Sequence, residues 1–218
     1  MTKIKICGLS SIEDIEAANE FMPDYVGFVF AKSVRQIDIA TAKKLKKALD
    51  SKIKAVGVFV NEEVDYIVSL CNQNIIDMVQ IHGDEDESYL GNLKSKIDKP
   101  VIRAFRIKSS EDIINAQDSC ADYILLDSFI EGSYGGSGNS FSWEMARKLK
   151  REYCLAGGLH AGNIQEAVRT CQPYGIDVSS GVETNGKKDK AKMKEFIGLV
   201  GRVGCRRVGC LAPKWSKM

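Results

Sequence analysis

Two side chains in this sequence, a thiol and a carboxylate, each end a strand-like run and could do proton-transfer chemistry there. Cys7 closes "KIKIC", in which Lys3-Ile4-Lys5-Ile6 alternates polar and apolar, and a glycine follows it. A thiol in that place serves as core filler, as half of a disulfide, or as a reactive group held where a strand gives way to a loop; its reactive form is the thiolate. Asp127 closes the apolar run "YILLD". A carboxylate there caps a helix, pairs with a lysine, or acts as a general acid. A few residues after it, at 132–141, comes "GSYGGSGNSF", whose four glycines suit a loop that closes over a ligand.

Two other stretches read as a phosphate grip. "LAGGLHAGN" places Gly157-Gly158 at the end of one run and leads toward a helix, and "DVSSGVET" ends another with Ser179-Ser180-Gly181. Glycines let backbone N–H groups approach an anion, and a helix N-terminus adds a favourable field. A tight turn is the alternative at Gly157-Gly158; the joint position of the two stretches favours phosphate. His82, one of two histidines, follows "MVQI" and reads as a substrate contact or as a structural hydrogen bond. Arg35 lies in a loop. There its planar fork suits a carboxylate, with an unengaged surface arginine as the ordinary alternative.

These residues need a scaffold that brings strand ends together. Runs rich in β-branched residues recur at 4–9, 25–30, 54–60, 78–83, 101–107, 123–128, 153–159 and 176–182, eight in all. Amphipathic stretches lie between them. "SIEDIEAANEF" sets Ile12, Ile15, Ala18 and Phe21 on one face, with Ser11 as N-cap and Asp14 three residues on. "DIATAKKLKKAL" groups Ile39, Ala42, Leu45 and Leu49, and "NEEVDYIVSLC" opens with Asn61 as a cap. Alternating strands and helices imply a parallel sheet with right-handed crossovers. Eight near-equal units with no reversal point favour closure into a single (β/α)8 TIM barrel over an open doubly wound sheet. In such a barrel chemistry sits at the C-terminal strand ends, where Cys7, His82 and Asp127 fall.

Composition narrows the class. The chain has 218 residues, 44% of them hydrophobic, enough for one large core. No apolar run nears the ~20 residues a membrane span needs. The N-terminal residues enter a strand pattern directly, so no signal peptide is expected. Seven scattered cysteines read as reduced thiols in a cytoplasmic protein, and Cys205 and Cys210, the one close pair, lack a neighbouring histidine for a metal site. Residues 202–218 carry Arg202, Arg206, Arg207, Lys214 and Lys217 and no acid; taking those five charges from the net +2 leaves residues 1–201 at −3. The body thus has no basic surface for nucleic acid.

Nine collinear segments carry a resemblance. They are "KICGL" (5–9), "GFVFAKSVR" (27–35), "VGVFVN" (56–61), "QIHGDE" (80–85), "RAFRI" (103–107), "LLDS" (125–128), "YGGSGNSFSW" (134–143), "LAGGL" (155–159) and "DVSSGVETNGKKD" (177–189). Together they resemble the phosphoribosylanthranilate isomerase family of tryptophan biosynthesis, over about residues 3 to 197. The resemblance implies a (β/α)8 barrel over 1–200 and an Amadori rearrangement of N-(5-phosphoribosyl)anthranilate with no cofactor and no metal. It implies Cys7 as general base and Asp127 as general acid, Arg35 at the anthranilate carboxylate, and Gly158, Ser180 and Gly181 at the phosphate. Gly157 and His82 complete the expected substrate site. The expected partner is a phosphorylated small molecule, with no nucleic acid or membrane, and the expected state is a monomer or homodimer. Val34 stands where the family usually has proline, and Asn139 and Ser142 where it commonly has charge. Residues 201–218, basic and glycine-rich, extend beyond the family's usual end and are expected to be poorly ordered.

Overall fold

The computed structural model describes residues 1–127, 143 and 145–202. Its eight long strands are β1 Lys3–Cys7, β2 Tyr25–Val29, β3 Lys54–Phe59, β4 Met78–Ile81, β5 Val101–Arg106, β6 Tyr123–Asp127, β7 Tyr153–Ala156 and β8 Gly175–Val178. They follow one another around a closed barrel in chain order, every pairing parallel. The pairing of β8 with β1 sets Lys5 opposite Asp177. Around the barrel lie α1 Ile12–Phe21, α2 Ile39–Ala48, α3 Val64–Asn72, α4 Glu87–Lys96, α5 Ser110–Asp118, α6 Ile164–Cys171 and α7 Lys190–Arg202. The fold is the (β/α)8 TIM barrel expected from the sequence.

Alternation along each strand divides the core in two. One set of side chains, including Ile4, Ile6, Val26, Phe28, Ile124 and Leu126, packs under the helices. The other, Val56, Met78, Ile102, Ala104, Leu125 and Ala156, fills the barrel itself. The strand face that carries this inner set carries Lys5 and Cys7 on β1 and Asp127 on β6, two residues on from Leu125. The alternation that packs the centre therefore aims these groups into it.

At the opposite end of the barrel one device repeats. Asp24, Asp77 and Asp122 each precede an even-numbered strand and accept the backbone N–H of Ile4, Ala55 and Val101 on the strand before, at 2.9, 2.7 and 2.9 Å. Each also takes a lysine, Lys3, Lys46 and Lys94 respectively. This repeated device ties neighbouring strands at the N-terminal face, the face that in these barrels serves stability.

Several local expectations change. Ser11 does cap α1, in a full capping box with Asp14. Ile12, expected on the buried face, is 42% exposed, and Ala17 is buried instead. A first-turn residue has no preceding turn to cover it. Asn61 does not cap α3: the N-cap is Glu63. Asn61 turns the chain with φ 50° and bonds the next βα loop through Asp84 and Glu85. The run at 176–182 ends as a strand at Val178, because Ser180–Val182 forms a 3-10 turn. A short hairpin follows, β9 Glu183–Thr184 and β10 Lys187–Lys188. Its two-residue turn is Asn185-Gly186, both at positive φ, as the favoured hairpin turn requires. Helix α7 runs through Arg202; the rest of the expected extension and the glycine-rich loop 132–141 lie outside the described residues. Among the described residues no helix is long and apolar enough to cross a membrane.

Candidate active site

Cys7 ends β1 with its side chain half-buried in the barrel mouth. Close approach from β2 is possible because Gly27 stands beside it: a Cβ there would lie 2.7 Å from the Cys7 sulfur. Gly8 then turns the chain at φ 84°, and a Cβ on it would meet Arg35 Cδ at 2.5 Å. The missing side chain lets Arg35 cross directly over the end of β1.

Arg35 does not stand alone. Its Nε and Nη2 donate to the two carboxylate oxygens of Glu183, each at 2.7 Å. Lys188 donates to the same carboxylate at 2.5 Å and to the Ser179 carbonyl at 3.0 Å. Ser179 Oγ in turn donates to the Cys7 carbonyl at 3.0 Å. The bond from the Arg35 fork, and then Lys188, outweigh burial and hold the Glu183 carboxyl down to about 2. The hairpin thus positions a charged lattice against β1.

Below Cys7 lies a second charged pair. Lys5 Nζ donates to Asp177 Oδ2 at 2.8 Å, with the two side chains only 6% and 8% exposed. Lys5 also lies two residues before Cys7 on the same face of β1, so its charge acts on the thiol. Burial works against the Lys5 charge, but Asp177 and then Cys7 more than offset it and push its pKa up. Burial pushes the Cys7 thiol up as well; Lys5 pulls it back, Asp177 adds to the rise, and Lys188 opposes it.

Across the mouth, Asp127 ends β6 with Oδ2 3.1 Å from His82 Nε2. The Gln80 side-chain amide lies 3.0 Å from His82 Nδ1, so the imidazole is held between that amide and the Asp127 carboxylate. Gln80 and His82 are two apart on and just after β4, so both face inward. A cleft of about 530 Å³ opens beside this group, lined in part by His82, Gly83, Phe105 and Arg106.

The two anion-grip stretches meet. Gly157 and Gly158 both hold positive φ, 90° and 60°. Asn163, the N-cap of α6, braces the turn: its Nδ2 donates to the Gly158 carbonyl, and its Oδ1 accepts from the His160 N–H. A Cβ at Gly181 would fall 1.9 Å from the Leu159 carbonyl oxygen, so the β8 loop packs backbone to backbone on the β7 loop. Among the described residues no group of three or more His, Cys, Asp or Glu is placed to hold a metal ion.

The structure therefore assembles the sequence candidates at one end of the barrel: Cys7 with Arg35, His82 with Asp127, and Gly157-Gly158 with the Ser180-Gly181 loop. Sequence reading missed four partners, Lys5, Asp177, Glu183 and Lys188. Lys5 was legible, since it lies two residues before Cys7 on the same strand face. The "NG" of "ETNGKK" signals a hairpin that brings Lys188 back beside Glu183. Asp177 and the reach of Glu183 to Arg35 depend on barrel closure.

A closed parallel barrel with a thiol, a carboxylate and glycine-rich loops at its C-terminal mouth defines the chain as a (β/α)8-barrel enzyme. The family model for N-(5'-phosphoribosyl)anthranilate (PRA) isomerase matches residues 4–198. The chain is 48% identical over 200 residues to N-(5'-phosphoribosyl)anthranilate isomerase of Endomicrobium trichonymphae, covering 92% of this chain and 98% of that one. The phosphoribosyl anthranilate isomerase structure from Thermotoga maritima superposes with a TM-score of 0.81 at 35% identity, covering 93% of this chain and all of the other. A phosphoribosyl anthranilate isomerase in complex with reduced 1-(o-carboxyphenylamino)-1-deoxyribulose 5-phosphate matches with a TM-score of 0.79 at 33% identity, over 93% of this chain and all of that one. This chain belongs to the N-(5'-phosphoribosyl)anthranilate isomerase family.

Proposed function

We propose that this enzyme converts N-(5-phosphoribosyl)anthranilate to 1-(2-carboxyphenylamino)-1-deoxyribulose 5-phosphate in tryptophan biosynthesis, with Asp127 as general acid and Cys7 as general base. The observation that carries the assignment is that β1 and β6 aim Cys7 and Asp127 into the same mouth, in a chain of this family. Asp127 protonates the furanose oxygen, the C1′–O bond breaks, and the anilino nitrogen takes up the charge as an iminium. That cation acidifies the C–H at C2′. The Cys7 thiolate removes this proton, and the electron pair flows to nitrogen to give an enolamine, which tautomerises to the ketone. The substrate's own nitrogen supplies the electron sink.

The other residues hold the substrate. Gly157, Gly158, Ser180 and Gly181 receive the phosphate in the cradle where the two loops meet. Glu183 occupies two nitrogens of the Arg35 fork and sets its plane, which leaves Nη1 for the anthranilate carboxylate. His82, whose ring nitrogens engage Gln80 and Asp127, serves the substrate site by orienting the acid.

Purified enzyme should consume the fluorescence of freshly prepared phosphoribosylanthranilate. Cys7→Ser and Asp127→Asn should each lower kcat by about 10²-fold or more, the usual contribution of a positioned acid or base, with the circular dichroism spectrum unchanged. Full activity in either variant would overturn that residue's role.

A further inference from the structure

Cys7 must lose its proton to act as a base, yet it sits in a site that opposes charge. Burial pushes its thiol up, so the resting group is a thiol. A buried anion persists only where a counter-charge and a hydrogen bond meet it. The charged groups around this sulfur come from four elements. Lys5 comes from its own strand, Asp177 from β8, Lys188 from β10, and Arg35 from the loop after β2. Glu183 sits behind the last two and bonds both. Three cations and two carboxylates leave a net charge of +1 while Cys7 is a thiol, and loss of its proton brings the cluster to zero.

Among the three cations, Lys5 is placed differently. Glu183 holds Arg35 and Lys188 from the hairpin side. Lys5 approaches from inside the barrel, on the same strand and the same strand face as Cys7, and its partner is Asp177 rather than Glu183. Its other partner, Asp177, is opposite it in the β1–β8 register and fixes the ammonium through Oδ2 at 2.8 Å. The alternation of β1 sets Lys5 beside Cys7: residues two apart on a strand share a face.

We propose that Lys5 is a positioning residue for the Cys7 base: its ammonium, held by Asp177, supplies the counter-charge and hydrogen bond that the thiolate needs. This rests on the reading of Cys7 as the general base and extends it to the residue beneath. When Cys7 takes the C2′ proton, the proton stays on sulfur and Lys5 keeps its own. Lys5 therefore touches no substrate atom and acts only through Cys7.

The test reads the thiol directly and needs no turnover. The full-length protein is treated with iodoacetamide across a range of pH, and alkylation of the Cys7 peptide is followed by mass spectrometry. Lys5→Met should raise the midpoint of the alkylation profile by about one pH unit or more, which is an alkylation rate about tenfold lower below the midpoint. The pH profile of kcat/KM should move with it, and kcat should fall while KM changes little. Lys5→Met leaves Asp177 buried without its cation, so Lys5→Met/Asp177→Asn provides the fold-safe variant. That double variant keeps the net charge but loses the hydrogen bond, so its midpoint should rise less than in the single variant and still lie above wild type. A midpoint equal to or below wild type, in whichever variant folds, overturns the role of Lys5. Full activity of Cys7→Ser would instead remove the base assignment, and the alkylation profile separates the two failures.

Discussion

At the residue scale, chemistry here depends on how close a charge can stand to a small group. Gly27 admits the Cys7 sulfur and Gly8 admits Arg35, so two absent side chains set the position of two functional ones. Glu183 has the complementary task of fixing the Arg35 fork. A bidentate arginine–carboxylate contact adds orientation as well as energy. Its carboxyl is held down to about 2 by Arg35 and Lys188, so it stays ionised in the folded protein where an ordinary carboxyl would take up a proton. A depressed carboxyl contributes stability that is fully present above its ordinary value and is lost as pH falls toward the folded value. Acid unfolding of the wild type should therefore steepen between about pH 4.5 and 2, and Glu183→Gln should flatten that segment. Urea midpoints measured at intervals through this window check it, and identical curves would contradict the assignment.

At the element scale, the site is an agreement between neighbouring loops rather than the property of one. The β7 and β8 loops share a backbone contact that leaves no room for a Cβ at Gly181. Gly181→Ala must push the loops apart by more than an ångström, and that displacement falls on the cradle assigned to the phosphate. The expected outcome is a rise of tenfold or more in KM, equivalent to about 1.4 kcal/mol of lost binding, with a smaller change in kcat. Steady-state kinetics on the purified variant measures it; an unchanged KM would remove Gly181 from the phosphate site. The hairpin β9–β10 plays a similar part for Lys188. Its turn residues, Asn185 and Gly186, are what the turn geometry demands, and their identity brings a cation back over β1.

At the scale of the whole molecule, the two faces of the barrel divide the labour. The N-terminal face carries the repeated aspartate–lysine ties of Asp24, Asp77 and Asp122, at the opposite strand ends from the groups assigned to chemistry: Asp122 and Asp127 stand at the two ends of β6. The C-terminal face carries the charged cluster and the glycine loops. Between them, a close-packed wall of helices and strands holds both in register. Phe59 is fully buried in that wall, stacked on Phe30 at 5.2 Å with the rings 6° apart. Phe59→Ala should cost about 3–5 kcal/mol, seen as a lowered urea midpoint with an unchanged slope. A loss below about 1 kcal/mol would mean that the cavity collapses, and with it the picture of a rigid wall.

The sequence by itself determined the barrel and the identity of the groups at its mouth. Eight β-branched runs separated by amphipathic stretches leave few architectures open, and strand alternation puts Lys5 on the same face as Cys7. Glycine pairs announce themselves because few other residues accept positive φ. Local signals have limits: periodicity puts Ile12 on a buried face that the first turn of α1 leaves open, and Asn61 has the residue type of a helix cap but links two loops. Only the tertiary structure decided which charges meet. Lys5 and Asp177 are 172 residues apart, and Arg35 and Glu183 are 148 apart. These pairs exist because β8 closes on β1, and closure is a property of the whole sheet that no window of sequence contains. That closure surrounds the Cys7 sulfur with three cations and two carboxylates.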